Sequence, residues 1–269
     1  MSSTKGKLRL AVLISGSGTN LQALLDRSAD GELNAEVVVV VSDRSDAPGL
    51  ARALHAHVPC HAVDYSHENP IPGHDAGLIS PDLEELDAAQ RIIKIPDRSR
   101  RMERLRRLVL SEQHLIEILD NYQPDYICLA GYMRLLSPYF IRHYNVDDKW
   151  RILNIHPALL PAFPGQHGYE DTFAYGCKWG GITVHFVDEG EDSGPIIAQA
   201  VYPILPDEDV EKVRQRGLQL EYEIYFQCIN WLAADQITLR RMMNGRTCVS
   251  ITDPSYLDIL KNWVRKAFV

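Results

Sequence analysis

Cysteine is sparse in this chain of 269 residues. The five cysteines, at 60, 128, 177, 228 and 248, are odd in number, scattered, and form no CxxC pair. That speaks against a disulfide framework and against a paired-cysteine zinc site, and it predicts reduced thiols in a cytoplasmic setting, with no metal. Long apolar runs are missing as well. None approaches the roughly 20 residues that a membrane helix needs. The opening stretch MSSTKGKLRLAVLISGSG carries no cleavage-site pattern, so no leader is expected. Positive charge is not in excess: the formal net charge is −8, which disfavours nonspecific nucleic-acid binding. Internal repeats and low-complexity tracts are also lacking. What remains is an ordinary globular composition, 45% hydrophobic, sufficient to bury a core and suited to small-molecule rather than nucleic-acid or membrane partners.

The chain begins as an alternation of strands and helices. LRLAVLI (8–14) and EVVVVVS (36–42) are short, branched, nearly continuous apolar runs and read as buried parallel strands. Helices are expected over about 20–29 and 48–57, with a short strand over 59–65. This is one half of a doubly wound α/β sheet. Residues 66–97 then lose periodicity and contain Pro70, Pro72, Pro81 and Pro96, which predicts a long irregular loop or insertion. The stripe Met102, Leu105, Leu108, Val109, Leu115, Ile116 and Leu119 predicts a helix over 98–122. Further strands are expected at 126–131, 150–156, 182–190 and 196–204, the last two as a hairpin. Helices are expected at 169–177, 207–234 and 256–268. The fold class expected is α/β, a doubly wound, mostly parallel, Rossmann-like sheet with a C-terminal hairpin and a long helix. The domain expected spans 1–235, with an insertion at about 66–107, and 236–269 forms an extension.

SGSGTN (15–20) lies between a predicted strand and a predicted helix. Glycine allows a tight turn there, and the unpaired first amides of the helix suit a phosphate. The dinucleotide fingerprint fails because Leu21 stands where its last glycine belongs. A Walker loop fails for want of a lysine, and a nucleophile elbow fails because Ser15 stands where a glycine belongs. A monophosphate cradle or a bare turn both remain open.

NIHPALLPAFPG (154–165) places an amide and an imidazole two residues apart at the end of a predicted strand, then ends the strand with prolines. Alternation puts Asn154 and His156 on one face, where both can converge on one ligand atom, and ligands of open α/β sheets collect at the carboxyl ends of strands. EDSGPII (191–197) supplies Asp192. If Asp192 reaches His156, it orients the ring and favours imidazolium; otherwise it is a turn-forming aspartate. No serine or cysteine nearby forms a nucleophile motif, so the set suits oxyanion stabilisation and proton transfer.

SGSGTNLQALL (15–25), LAGYMRLLSP (129–138), NIHPALLPAFPG (154–165) and ITVHFVDEGEDSGPII (182–197) together resemble the 10-formyltetrahydrofolate-dependent formyltransferases, over about 8–65 and 108–234. SGSGTN points, within that family, to members that act on glycinamide ribonucleotide in purine biosynthesis. The resemblance implies a one-carbon transferase with 10-formyltetrahydrofolate as co-substrate, phosphoribosylglycinamide as acceptor, and a monomer or homodimer. It implies catalytic roles for Asn154, His156 and Asp192, with His185 next to the active centre. Gly18, Thr19 and Asn20 correspond to the loop that holds the phosphate, and Glu221 to the acid on the ribose hydroxyls. Met133, Arg134, Leu135 and Leu136, with Val187, Asp188, Glu189 and Gly190, correspond to the folate pocket.

Three features depart from the family. The insertion ends in RSRRMERLRR, whose Arg104, Arg106 and Arg107 could reach a phosphate or form a solvated helix face. Tyr169 stands where the family often has histidine. The tail beyond about 235 is long. Two other enzymes share the chemistry. A formyltetrahydrofolate deformylase usually carries a regulatory domain ahead of the catalytic one, for which a first strand at Leu8 leaves no room. A sugar-amine formyltransferase is the other. A noncatalytic nucleotide-binding module is a further alternative, and the amide–imidazole–carboxylate set argues against it.

Overall fold

The computed structural model describes residues 6–65, 82–147 and 149–268. Its first strands are the two apolar runs: β1 (Leu8–Ile14) and β2 (Ala35–Ser42), with α1 (Thr19–Ala29) between them. Then come α2 (Pro48–His55) and β3 (Cys60–Ala62). After the insertion, α4 (Arg98–Tyr122), which follows α3 (Leu83–Ala89), leads to β4 (Tyr126–Leu129), α5 (Pro138–Tyr144) and β5 (Ile152–His156). The second half adds α6 (Gly168–Ala174), β6 (Trp179–Phe186), β7 (Ile196–Pro203) and α7 (Val210–Ala233). β8 (Ile237–Arg241), β9 (Thr247–Ile251) and α8 (Tyr256–Lys266) close the chain.

Seven strands form one sheet in the order β3-β2-β1-β4-β5-β6-β7. β1 to β5 pair in parallel, while β6 runs antiparallel to both neighbours. The strands are buried on both faces because their side chains alternate between two cores. Leu10, Val12 and Ile14 enter the core shared with α1 and α7, whereas Ala11 and Leu13 enter the one shared with α4 and α5. The order reverses beside β1 and β4, so the carboxyl ends of β1, β4 and β5 open onto one crevice.

The residues expected to form an irregular stretch at 66–97 include a helix, α3, which corrects that expectation. Asp82 caps it, accepting from the Glu84 and Glu85 amides at 3.0 and 3.3 Å, and Leu86 is buried against Leu105 and Val109 of α4. The prolines at 70, 72 and 81 lie outside the described residues. α5 was likewise not expected, although Ser137 caps it and Pro138 opens it. In the tail, β8 and β9 pair as an antiparallel hairpin. α8 returns to the main core, where Trp263 is buried 5.9 Å from the Trp231 ring. No helix of the described residues is long and apolar enough to cross a membrane.

Candidate active site

β5 delivers Asn154 and His156 to the crevice. Its antiparallel register with β6 sets His185 opposite Asn154 and Thr183 opposite His156. The proline-rich exit is pinned by Thr183, whose hydroxyl donates to the Ala158 carbonyl at 2.7 Å and accepts from the Leu160 amide at 3.1 Å. The loop after β6 brings Asp192 back, with a backbone φ of 50°, a left-handed conformation that aspartate tolerates better than most residues.

The three side chains meet. The His156 Nδ1 lies 3.4 Å from Asp192 Oδ2, and the Asn154 amide donates to Asp192 Oδ1 at 3.3 Å. His185 Nε2 stands 3.2 Å from the Asn154 amide nitrogen and 3.6 Å from Asp192 Oδ1. Two backbone groups complete the cluster. The Gly165 amide donates to Asp192 Oδ2 at 2.8 Å, and the Phe163 carbonyl lies 2.8 Å from His156 Nε2. Both were beyond sequence reading, because a backbone amide or carbonyl carries no residue-type signal. The turn AFPG at 162–165 is the only trace.

Burial sets the protonation of the pair. It lowers the His156 pKa below the ordinary histidine value, although the Asp192 charge and the Phe163 carbonyl pull the other way. Asp192 does reach the ring and favours its charged form, as expected, but desolvation of the ring is the larger effect. Burial also pushes the Asp192 carboxyl up, but His185, the charge of His156 and the Gly165 amide together hold it below the ordinary range. Both ring nitrogens of His156 face acceptors, the Phe163 carbonyl at Nε2 and the Asp192 carboxylate at Nδ1.

A cavity of about 580 Å³ joins this cluster to two other groups of residues. At one end are Thr19 and Asn20. Gly18 precedes them as the N-cap of α1, with φ 68°, and no side chain caps the helix. A Cβ on Gly18 would stand 2.8 Å from the Gly49 Cα, so two backbones pass closely there. Glu221 is buried and takes hydrogen bonds from the Asn20 amide and the Tyr169 hydroxyl. Burial pushes its pKa up, while those two donors and the Arg214 charge work against that shift. Tyr169 fits because Gly217 of α7 leaves room: a Cβ there would come within 2.3 Å of the ring.

At the other end lie Met133, Arg134, Leu135 and Leu136, with Val187, Asp188 and Gly190. Half-exposed Met133 and Leu135 give this end an apolar wall. The Arg134 side chain is held by Asp43 at 2.8 Å, over the Tyr65 ring. Glu189 does not line the cavity; it pairs with Arg142 at 2.6 Å. Arg104 and Arg107 border a separate cavity of about 400 Å³ that includes no residue of the glycine turn, and Arg106 borders neither. Arg214, which the sequence reading passed over, lines the main cavity; its spacing of seven from Glu221 along a predicted helix was the available signal. Among the described residues, no group of three or more histidine, cysteine or acidic side chains is placed to hold a metal.

A formyl transferase family profile matches residues 8–229. The chain belongs to the formyl transferase family. It is 34% identical to the phosphoribosylglycinamide formyltransferase of Haemophilus influenzae, over 86% of this chain and 90% of that protein. It is 39% identical to the trifunctional purine biosynthetic protein adenosine-3 of Drosophila melanogaster, over 80% of this chain but only 13% of that much longer protein. Among solved structures, glycinamide ribonucleotide transformylase 1 from Symbiobacterium toebii superposes with a TM-score of 0.71 at 38% identity, covering 94% of this formyl transferase chain and 99% of the other. A formyltetrahydrofolate deformylase from Pseudomonas syringae shares the fold at 21% identity, with a TM-score of 0.67, over 92% of this chain and 66% of that one.

Proposed function

We propose that this chain transfers the formyl group of 10-formyltetrahydrofolate to the amine of glycinamide ribonucleotide, in purine biosynthesis. One observation carries the reading: the Asn154–His156–Asp192 cluster opens into the same cavity as the Asn20–Glu221 pair. One cavity therefore has a reaction centre, a ribose-binding carboxylate and an apolar wall for a folate ring. The 34% identity to the Haemophilus influenzae phosphoribosylglycinamide formyltransferase, over 90% of its length, supports the acceptor.

The co-substrate supplies an activated formyl carbon. The amine of the acceptor attacks that carbon, and its carbonyl oxygen takes up negative charge. The Asn154 amide and the His156 ring N–H donate to this oxyanion, exchanging the acceptors they hold at rest. The ionised Asp192 holds the protonated imidazole at its other nitrogen, so the positive charge of the ring stands ready beside the oxyanion. A proton leaves the attacking amine and reaches the departing nitrogen of the folate, so the tetrahedral intermediate collapses to the formamide. Neither a serine nor a cysteine is used as a covalent carrier.

The test is an absorbance assay of folate release with glycinamide ribonucleotide, a nucleotide-linked amino sugar, or no amine. Release only with the ribonucleotide is expected. Release of formate without any amine would identify a deformylase and overturn the reading.

A further inference from the structure

We propose that Arg214 recognises the phosphate of the acceptor and so selects a phosphorylated ribose; the inference deepens the proposed function and rests on it for the identity of that acceptor.

Three observations converge on this residue. α7 spaces Arg214, Leu218 and Glu221 four and three residues apart, on one helical face. All three line the cavity that also takes in Thr19 and Asn20. Of these, only Arg214 is cationic; Leu218 has nothing to offer an anion. The guanidinium is also close to the ribose-binding pair. Its Cζ lies 5.5 Å from the centroid of the Tyr169 ring, and the hydroxyl of that ring is bonded to Glu221, which in turn holds Asn20.

The second observation concerns the amino end of α1. Thr19 and Asn20, in the first turn of α1, line the cavity, and no side chain caps the helix, whose first amides lack intrahelical partners. The Asn20 carbonyl oxygen is buried and has no hydrogen-bond partner. A buried acceptor of this kind is costly unless a ligand donor meets it. A ribose hydroxyl between Asn20 and Glu221 would do so, and would place a 5′-phosphate between the α1 amides and Arg214.

The third is the availability of the cation. Arg134, the other arginine lining this cavity, is fixed by the buried carboxylate of Asp43. The carboxylates on Arg214 are Glu170 and Glu211, which are 42% and 63% exposed. Solvated pairs of that kind contribute little. A phosphate, with its matching oxygen fork, displaces them readily.

The test compares the full-length wild type with Arg214→Gln and Arg214→Lys, using ribose 5-phosphate in calorimetry and glycinamide ribonucleotide in steady-state assays. Arg214→Gln is expected to weaken ribose 5-phosphate by roughly tenfold or more, with partial recovery in Arg214→Lys. The KM for glycinamide ribonucleotide should rise by a similar factor while kcat and the KM for the folate hold. Equal affinity of wild type and Arg214→Gln for ribose 5-phosphate, or no binding to the wild type, overturns the assignment. So does a parallel rise in the folate KM, which would mark a structural defect. Arg214-dependent binding of ribose 5-phosphate without formylation of glycinamide ribonucleotide would retain the phosphate contact and refute the proposed reaction instead.

Discussion

At the level of single residues, the donors proposed to meet the oxyanion are those now paired with protein acceptors. Asn154 spends its amide hydrogens on Asp192 and, at 3.2 Å, on His185; His156 spends one ring nitrogen on Phe163. Removing either donor should therefore leave the resting structure nearly intact while stripping the transition state of one hydrogen bond. Asn154→Ala and His156→Ala are each expected to lower kcat by about a hundredfold or more. Circular dichroism melting, run alongside, should show both variants folded. Retention of most activity by either variant would remove it from the reaction centre. Asn154 and His156 were legible in the sequence because strand alternation and a proline stop define both their face and their position. Asp192 was legible only as a candidate, since nothing in a loop sequence states what the loop touches. The depth at which His156 is buried was not legible, because burial is not written in the neighbouring residues.

At the level of elements, the strong periodicities decided what could be read. β1, β2 and α4 were legible because each repeats one apolar pattern over its whole length. α3 and α5, of seven residues each, were obscured: the first by flanking prolines, the second by its shortness directly after the Met133–Leu136 segment. Their caps were nonetheless present, at Asp82 and Ser137. The Ser137 cap has a further role. Glu112 of α4 is fully buried, and it accepts the Ser137 amide at 2.7 Å and the Ser137 hydroxyl, so α4 anchors the end of the Met133–Leu136 segment. Burial raises the Glu112 pKa from 4.5 to about 8. The unfolded chain releases this proton near the lower value and the folded chain near the upper one. Glu112 thus contributes its full stability below pH 4.5 and loses it progressively up to about pH 8. Glu112→Gln keeps the shape but has no proton to lose. Its urea midpoint relative to wild type should rise steadily with pH across that interval and level off above it; a gap independent of pH would show that Glu112 is ionised in the fold.

At the level of the whole molecule, the tail and the sheet share one core. Trp263 of α8 packs in the same buried cluster as Trp231, and the Trp231 indole donates to Asp253 at 2.7 Å. Trp263→Ala is expected to cost about 3–5 kcal/mol in urea unfolding, as for other large aromatic deletions from a core. A loss near zero would mean that α8 is loosely attached. The facing of the proposed reaction centre is set by the pairing of Asn154 with His185 and of His156 with Thr183. Side chains in a ladder alternate, so a single-residue slip would turn all of them to the opposite surface. Chain length can therefore drift at the hairpin ends, and between β3 and β4, without disturbing the chemistry. One residue gained inside β5 would leave a well-formed protein whose tools face the wrong way.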